Sequence, residues 1–431
     1  MLQPVPLPRG AALAAELAAG ARSFAVGFWF PIGSRHEAPR ERGFVHFVEH
    51  MAFKGTARRS ADEISREIER VGGFLNAFTD RESICLHCLV PAECWRLALD
   101  VLSDMAFSSA FADEDFGRER DVITSEILAA LDDPEERSHD EMLAAIWPGD
   151  PLSRSIAGEP EDLARATRDE LYAFYRRRFV PSELLVTAAG PVAPEEIARE
   201  LGDLFARLPE REPAPAALAA TPSFSRAQAY LPASIGQVHY YEAMQLDPPF
   251  TERDYYALAA LNGAVGEASS SRLFLSLREK KGLCYSVYSA FSMGRSECLW
   301  IASANVSVGS LQRLAAEMER QLDEVADSGL SDRECEESVS RLAGSFEVAL
   351  DDTDFRMRRL GRQVLFQGAA LDPAEAVSRI RELGPADLRA MAVRLLGQRP
   401  RARFAYGRKS SAAAKALGLE EIRGSGEGNR G

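Results

Sequence analysis

From Ser60 the chain sets out helix, strand, strand, helix, helix, and from Ser271 it sets out the same order again. Ser60 and Glu63 form a capping-box pattern that predicts a helix ending near residues 72–73. Strand-like runs follow at Phe74–Thr79 and 83–90, then a helix entered through Pro91, then another over 113–131. The second set reads as a helix over 271–280, strands over 283–291 and Cys298–Val306, and helices over 311–325 and 331–350. Even the closing words agree: Ala130-Leu131-Asp132-Asp133 against Ala349-Leu350-Asp351-Asp352. Two unrelated α+β domains are the alternative, but a repeated order of this kind is the mark of a degenerate internal duplication. The expected fold class is α+β: two duplicated domains, each a largely antiparallel sheet packed with helices.

Residues 208–222 are proline-rich with little apolar periodicity and read as a linker. The expected domains are residues 1–212 and 213–408, and the Gly-, Ser- and charge-rich residues 409–431 read as a flexible tail. A formal charge of −14 argues against a broad nucleic-acid-binding surface. There is no apolar run long enough to span a membrane, and Met1 to Arg9 does not resemble a secretory signal, so the expected location is cytoplasmic. Six cysteines suit a reducing compartment.

Histidine is scarce, six in all, yet two lie four apart with a glutamate between: His46-Phe47-Val48-Glu49-His50. Positions i and i+4 of a helix share a face, so both imidazoles can bind one ion, and Glu49 lies near enough to activate water. This is H-x-x-E-H, the inverted zinc-peptidase motif. The plainer alternative is two surface histidines and a solvated glutamate. A catalytic zinc needs a third protein ligand and an open position. The helix over 113–131 offers Glu114, Glu119 and Glu126. Glu126 stands among Val122, Ile123, Ile127 and Leu128, where a carboxylate is costly unless paired or bound to metal. That favours Glu126 as ligand, with Glu119, on the same helix face, behind a ligating histidine. Aligning the two Leu-Asp-Asp endings sets Ser345 opposite Glu126, and the second half has no matching histidine pair, so one domain is catalytic and its copy supports it.

Several ordered blocks resemble the pitrilysin/insulysin-type metallopeptidases, closest to the half-size branch that includes the mitochondrial processing peptidase. The first is Gly33-Ser34-Arg35 with Glu37, Gly43 and His46 through Thr56; the others are Asn76-Ala77-Phe78-Thr79 with Arg81-Glu82, and Glu119 through Ile123 with Glu126-Ile127. In the second half they are Ser271-Arg272-Leu273-Phe274 and Leu277 through Tyr285. The resemblance implies one Zn2+ per chain on His46, His50 and Glu126, with Glu49 as general base and Glu119 behind the ligands. It implies that Asn76, Ala77 and Phe78 lie on a substrate-pairing strand and that Arg278 and Tyr285 contact the substrate carbonyl. It also implies that each chain is half of a clamshell whose four domains enclose a chamber. A zinc endopeptidase for extended peptides is therefore expected. Because this chain keeps both the metal set and the Arg/Tyr pair, a homodimer is expected, with Arg278 and Tyr285 acting in trans. The run before Ser271, Val265-Gly266-Glu267-Ala268-Ser269, is poorer in glycine than is usual there, which argues against the processing peptidase's specificity. A non-catalytic peptide-binding scaffold and the catalytic half of a heterodimer are the competing readings.

Other signals are discounted. In a strand, Cys85 and Cys88 of Cys85-Leu86-His87-Cys88 point to opposite faces and read as core. His36, His139 and His239 stand alone, and Tyr175-Arg176-Arg177-Arg178-Phe179 reads as a solvated helix face.

Overall fold

The computed structural model describes residues 1–208, 220–408 and 411–424. Residues 209–219 of the expected linker, and 409–410 and 425–431 of the expected tail, lie outside the described residues. The chain divides into two compact units. One comprises Met1–Ala129, Arg154–Ala219 and Glu347–Pro373; the other comprises Ala130–Ser153, Ala220–Phe346 and Ala374–Gly431.

The first unit is built on the strands β1 (Val5–Pro6), β2 (Ala12–Leu17), β3 (Ser23–Phe30), β4 (Phe74–Thr79), β5 (Ile84–Pro91) and β6 (Leu185–Gly190), in the order β1-β2-β6-β3-β5-β4. The second is built on β7 (Gln228–Ala233), β8 (Val238–Leu246), β9 (Cys284–Met293), β10 (Cys298–Val306), β11 (Ala402–Arg408) and β12 (Glu420–Glu421), in the order β12-β7-β11-β8-β10-β9. Strands β2 to β6 thus map one to one onto β7 to β11. In each sheet one internal pair is parallel, β2 with β6 and β7 with β11, and the neighbours toward the far edge are antiparallel. Edge strands β4 and β9 occupy the same place. The duplicated α+β architecture stands.

Each unit borrows a helix from the other half of the sequence. Strand β3 (SFAVGFWF) is apolar on both faces because both are covered. Phe24, Val26, Phe28 and Phe30 join the core beneath the helix Trp95–Ser108. Ala25 and Trp29 join a second core with Met357, Leu360 and Val364 of the helix Thr353–Gln367. Glu16 on β2 is paired with Arg356 and Arg359 of that helix. Reciprocally, Met142, Leu143 and Ile146 of the helix Pro134–Ile146 pack on Tyr241, Phe404 and Tyr406 of the second sheet. Asp133 and Asp352, the last residues of the two repeated words, are the N-caps of these two helices.

The described part of the tail departs from the flexible reading. Ser411–Ala416 is helical, and Glu420–Glu421 pairs in parallel with β7. A short run that completes a sheet gains ladder hydrogen bonds that composition does not reveal. Cys88 and Cys85 lie in the two opposite cores, as strand alternation requires.

Candidate metal centre and substrate edge

The helix Phe44–Ala52 carries the H-x-x-E-H run on one side and buries Phe44, Val45, Phe47, Val48 and Met51 on the other. Its N-cap, Gly43, has φ +80, and a Cβ there would lie 2.4 Å from the Ala157 carbonyl oxygen. With no side chain on the N-cap residue, the first turn is capped from elsewhere. Glu37 accepts the Gly43 N–H at 2.9 Å and the Val45 N–H at 2.8 Å. Burial still pushes the Glu37 carboxyl up to about 8, outweighing the two amides.

His46 and His50 have ring centroids 4.8 Å apart. Ligand-capable atoms of His46, His50 and Glu126 all lie within 4.8 Å of one another. Burial, aided by His50, pushes His46 down to about 4, so its imidazole is neutral, the form that binds metal. Among the described residues, its buried Nδ1 has no hydrogen-bond partner. His50 Nδ1 lies 3.0 Å from Glu119 Oε2, and His50 Nε2 lies 3.4 Å from Glu126 Oε2. Two imidazoles and one carboxylate, with a second carboxylate behind one imidazole, fit a zinc ion with an open position.

Glu126 is reached by a different route from the one its neighbours suggested. Its side chain is 50% exposed, and Val122 and Leu128 are exposed as well, whereas Glu119 is buried. The stretch around Glu126 on the helix Asp113–Asp132 keeps only Ile123 and Ile127 in the core. Convergence with the histidines, not the cost of burial, singles Glu126 out.

Two contacts escaped the sequence reading. Lys54 Nζ lies 2.7 Å from Glu119 Oε1, completing a Lys54–Glu119–His50 chain. Its spacing of four from His50 was the available signal. Thr79 Oγ1 donates to Glu49 Oε2. Burial pushes the Glu49 carboxyl above its usual range, with Thr79 and His50 opposing and Glu126 reinforcing. Strand alternation puts Thr79 on the face of Ala77, which packs under the metal helix.

Among the described residues, strand β4 has no strand paired on its outer side. Asp80 N–H bonds the Ser83 carbonyl at 2.9 Å, so Asp80 and Ser83 are a bonded pair closing the hairpin. Bonded and non-bonded pairs alternate along an antiparallel ladder. Given the β4–β5 register, the N–H and C=O groups of Leu75, Ala77 and Thr79 therefore face the free edge. Asn76 Oδ1 accepts the Ala77 N–H at 2.9 Å. Phe78 turns to the opposite face, its ring 5.4 Å from that of Trp29. In the second unit, Arg278 lies 5.3 Å from the Tyr285 ring centroid and 4.6 Å from that of Phe274. Tyr285, on β9, is 79% exposed.

Among the described residues, no helix is long and apolar enough to cross a membrane. Comparison with known proteins places these features in context. Residues 13–160 match the family described as Insulinase (Peptidase family M16), and residues 165–342 match Peptidase M16 inactive domain. An uncharacterised zinc protease of Streptomyces coelicolor is 34% identical over 401 residues, covering 91% of this chain and 87% of that protein. One from Bacillus subtilis is 32% identical over 347 residues, covering 80% and 84%. The crystal structure of a protease from Helicobacter pylori superposes with a TM-score of 0.86 at 18% identity, over 95% of this chain and 100% of that one. A peptidase M16 inactive domain from Pseudomonas fluorescens gives 0.86 at 17%, over 95% and 98%. Matched in both halves and along most of its length, this chain belongs to the M16, or insulinase, peptidase family.

Proposed function

We propose that the protein is a zinc-dependent endopeptidase that hydrolyses extended or unfolded peptides, and that it works as a homodimer enclosing a chamber. The observation that carries the reading is the convergence of His46, His50 and Glu126 beside the half-buried carboxylate of Glu49. The relatives' naming as zinc proteases supports the same chemistry.

His46, His50 and Glu126 would hold the ion, and Glu119 would orient His50 through Nδ1. Bound there, zinc supplies Lewis acidity, polarising the peptide carbonyl and making water a better acid. Glu49 takes the proton of the attacking water and passes it to the leaving amine; a carboxylate made more basic by burial suits both steps. The free edge of β4 accepts the substrate as an added strand through Ala77 and its neighbours, with Asn76 and Phe78 beside it. Recognition through backbone groups favours extended peptides over a particular sequence. Arg278 and Tyr285 stabilise the developing oxyanion, and in the proposed homodimer those of one copy complete the metal site of the other.

The test is cleavage of a long unstructured peptide by the purified chain, with and without chelator, beside Glu49→Gln. Chelator-sensitive cleavage is expected, and Glu49→Gln should keep its zinc and lose turnover. A wild-type chain that binds zinc and cleaves nothing would remove the endopeptidase reading. For the trans arrangement, Glu49→Gln chains mixed with Arg278→Ala chains should regain activity that neither has alone. A mixture no better than its parents would leave the assignment without support.

A further inference from the structure

Thr79 faces two ways at once. Its backbone N–H and C=O point to the free edge of β4, the edge on which the proposed function seats the substrate. Its side chain points to the metal helix, where Oγ1 donates to Glu49 Oε2. Among the described residues, this hydroxyl is the hydrogen-bond partner of the Glu49 carboxylate. A β-branched residue in a strand has few χ1 choices, so its hydroxyl direction follows the backbone. An edge strand is held by one neighbour only, and a second strand on its outer side fixes it from both sides.

We infer that Thr79 is a positioning residue that couples strand addition at β4 to the orientation of the general base Glu49. This rests on the peptidase reading above. Pairing of a peptide with the Thr79 backbone immobilises the strand end, and the hydroxyl passes that constraint to one carboxylate oxygen of Glu49, leaving the other for the attacking water. Backbone binding away from the scissile bond is thereby converted into turnover rather than affinity alone. Peptides too short to pair with Thr79 should bind and yet turn over slowly.

The experiment uses the zinc-loaded full-length chain and a nested set of peptides sharing one cleavage site and shortened from either end. In the wild type, kcat should fall in one of the two truncation series. Thr79→Val keeps the branched shape and removes the donor. Its kcat on the full-length peptide should fall roughly tenfold to a hundredfold, the range a misplaced catalytic group produces, with KM and zinc stoichiometry little changed. Its dependence of kcat on peptide length should vanish. Thr79→Ser restores the donor and should recover most of the turnover. The inference is overturned if Thr79→Val keeps wild-type kcat, if Thr79→Ser is as impaired as Thr79→Val, or, where Thr79→Val loses zinc or unfolds, if the kcat of Thr79→Ser shows no dependence on peptide length. A wild-type chain that cleaves no member of the set refutes the peptidase reading itself, whereas the other outcomes bear on Thr79 alone.

Discussion

Replacing Gly361 by alanine tests the borrowed helix and its hold on the edge strand β4. A Cβ at Gly361 would lie 2.2 Å from Trp29 Cε2 and 2.4 Å from Cζ2. Carbon atoms in contact settle at about 3.5–4.0 Å, so the helix Thr353–Gln367 or the indole must move by roughly 1 Å or more. Neither moves freely. Trp29 is 1% exposed, and its Nε1 donates to Thr187 Oγ1 at 2.7 Å. The helix is fixed by Met357, Leu360 and Val364 in the same core and by Glu16. Overpacking costs about 1–3 kcal/mol. Losing the indole hydrogen bond adds about 1 kcal/mol or more. Alanine returns about 1 kcal/mol of helix propensity. The net expectation is a loss of about 1–3 kcal/mol, read as a lower midpoint for the first unit in urea unfolding followed by Trp fluorescence. Gly117→Ala is the control: it lies in the helix Asp113–Asp132 with nothing within 4 Å of a built Cβ. It should stabilise by about 0.5–1 kcal/mol. Because the Phe78 ring packs on Trp29, Gly361→Ala should also weaken peptide binding at β4. If Gly361→Ala is as stable as Gly117→Ala, the packing argument is refuted.

Three further perturbations follow from individual contacts. Lys54→Met leaves Glu119 without its cation and should weaken zinc binding roughly 10–100-fold in chelator competition, with Lys54→Arg close to wild type. Burial, aided by Arg358, pushes His87 from its ordinary 6.5 down to about 4, with Asp354 opposing. Between those values the unfolded chain binds a proton that the folded one does not, so this group's stabilisation is lost as pH falls from 6.5 to 4. The stability difference between wild type and His87→Gln should shrink across that window, measured by urea unfolding at each pH. Glu37→Ala removes the external cap of the metal helix and should cost about 1 kcal/mol or more by thermal unfolding, with a smaller loss for Glu37→Gln, which keeps one acceptor.

Much of this was legible because it is local. The capping box of Ser60 and Glu63 opens the helix Ala61–Glu69 as its side chains dictate, and Phe74–Thr79 is a strand over the residues its composition marks. The i, i+4 spacing of His46 and His50 places their rings together without help from the rest of the chain. What was not legible depends on distant packing. The helices that follow the two Leu-Asp-Asp words, Pro134–Ile146 and Thr353–Gln367, were not read from the sequence, and an apolar stripe would not have told which sheet each covers, because it fits any apolar face. The words themselves were the signal, since each ends in the N-cap of an exchanged helix. Thr79 and Lys54 were passed over for a similar reason: a hydroxyl or an ammonium gains its role only when a carboxylate is brought beside it.

Among the described residues, the two sheets have topologically equivalent edge strands, β4 and β9, yet the surroundings of these strands differ. Beside β4 stand two histidines, the half-buried carboxylate of Glu49 and the converging carboxylate of Glu126. The helical segment Phe274–Lys280 before β9 holds no histidine and carries instead, in its last turn, Arg278, which lies over the Tyr285 ring. A duplicated edge does not need a duplicated metal. Donor hydrogen bonds and a cation stabilise an oxyanion without any ligand geometry, and they can be placed on a strand and the helix before it. The metal site is more demanding, since its donors must converge from two helices and be oriented from behind. Loss of His or Glu in one copy would abolish it there while leaving the edge intact. A copy with the edge but without the metal donors still has what an edge and a few polar groups can offer, backbone pairing and charge stabilisation. That is the division of labour which the proposed function assigns to the two halves of this chain.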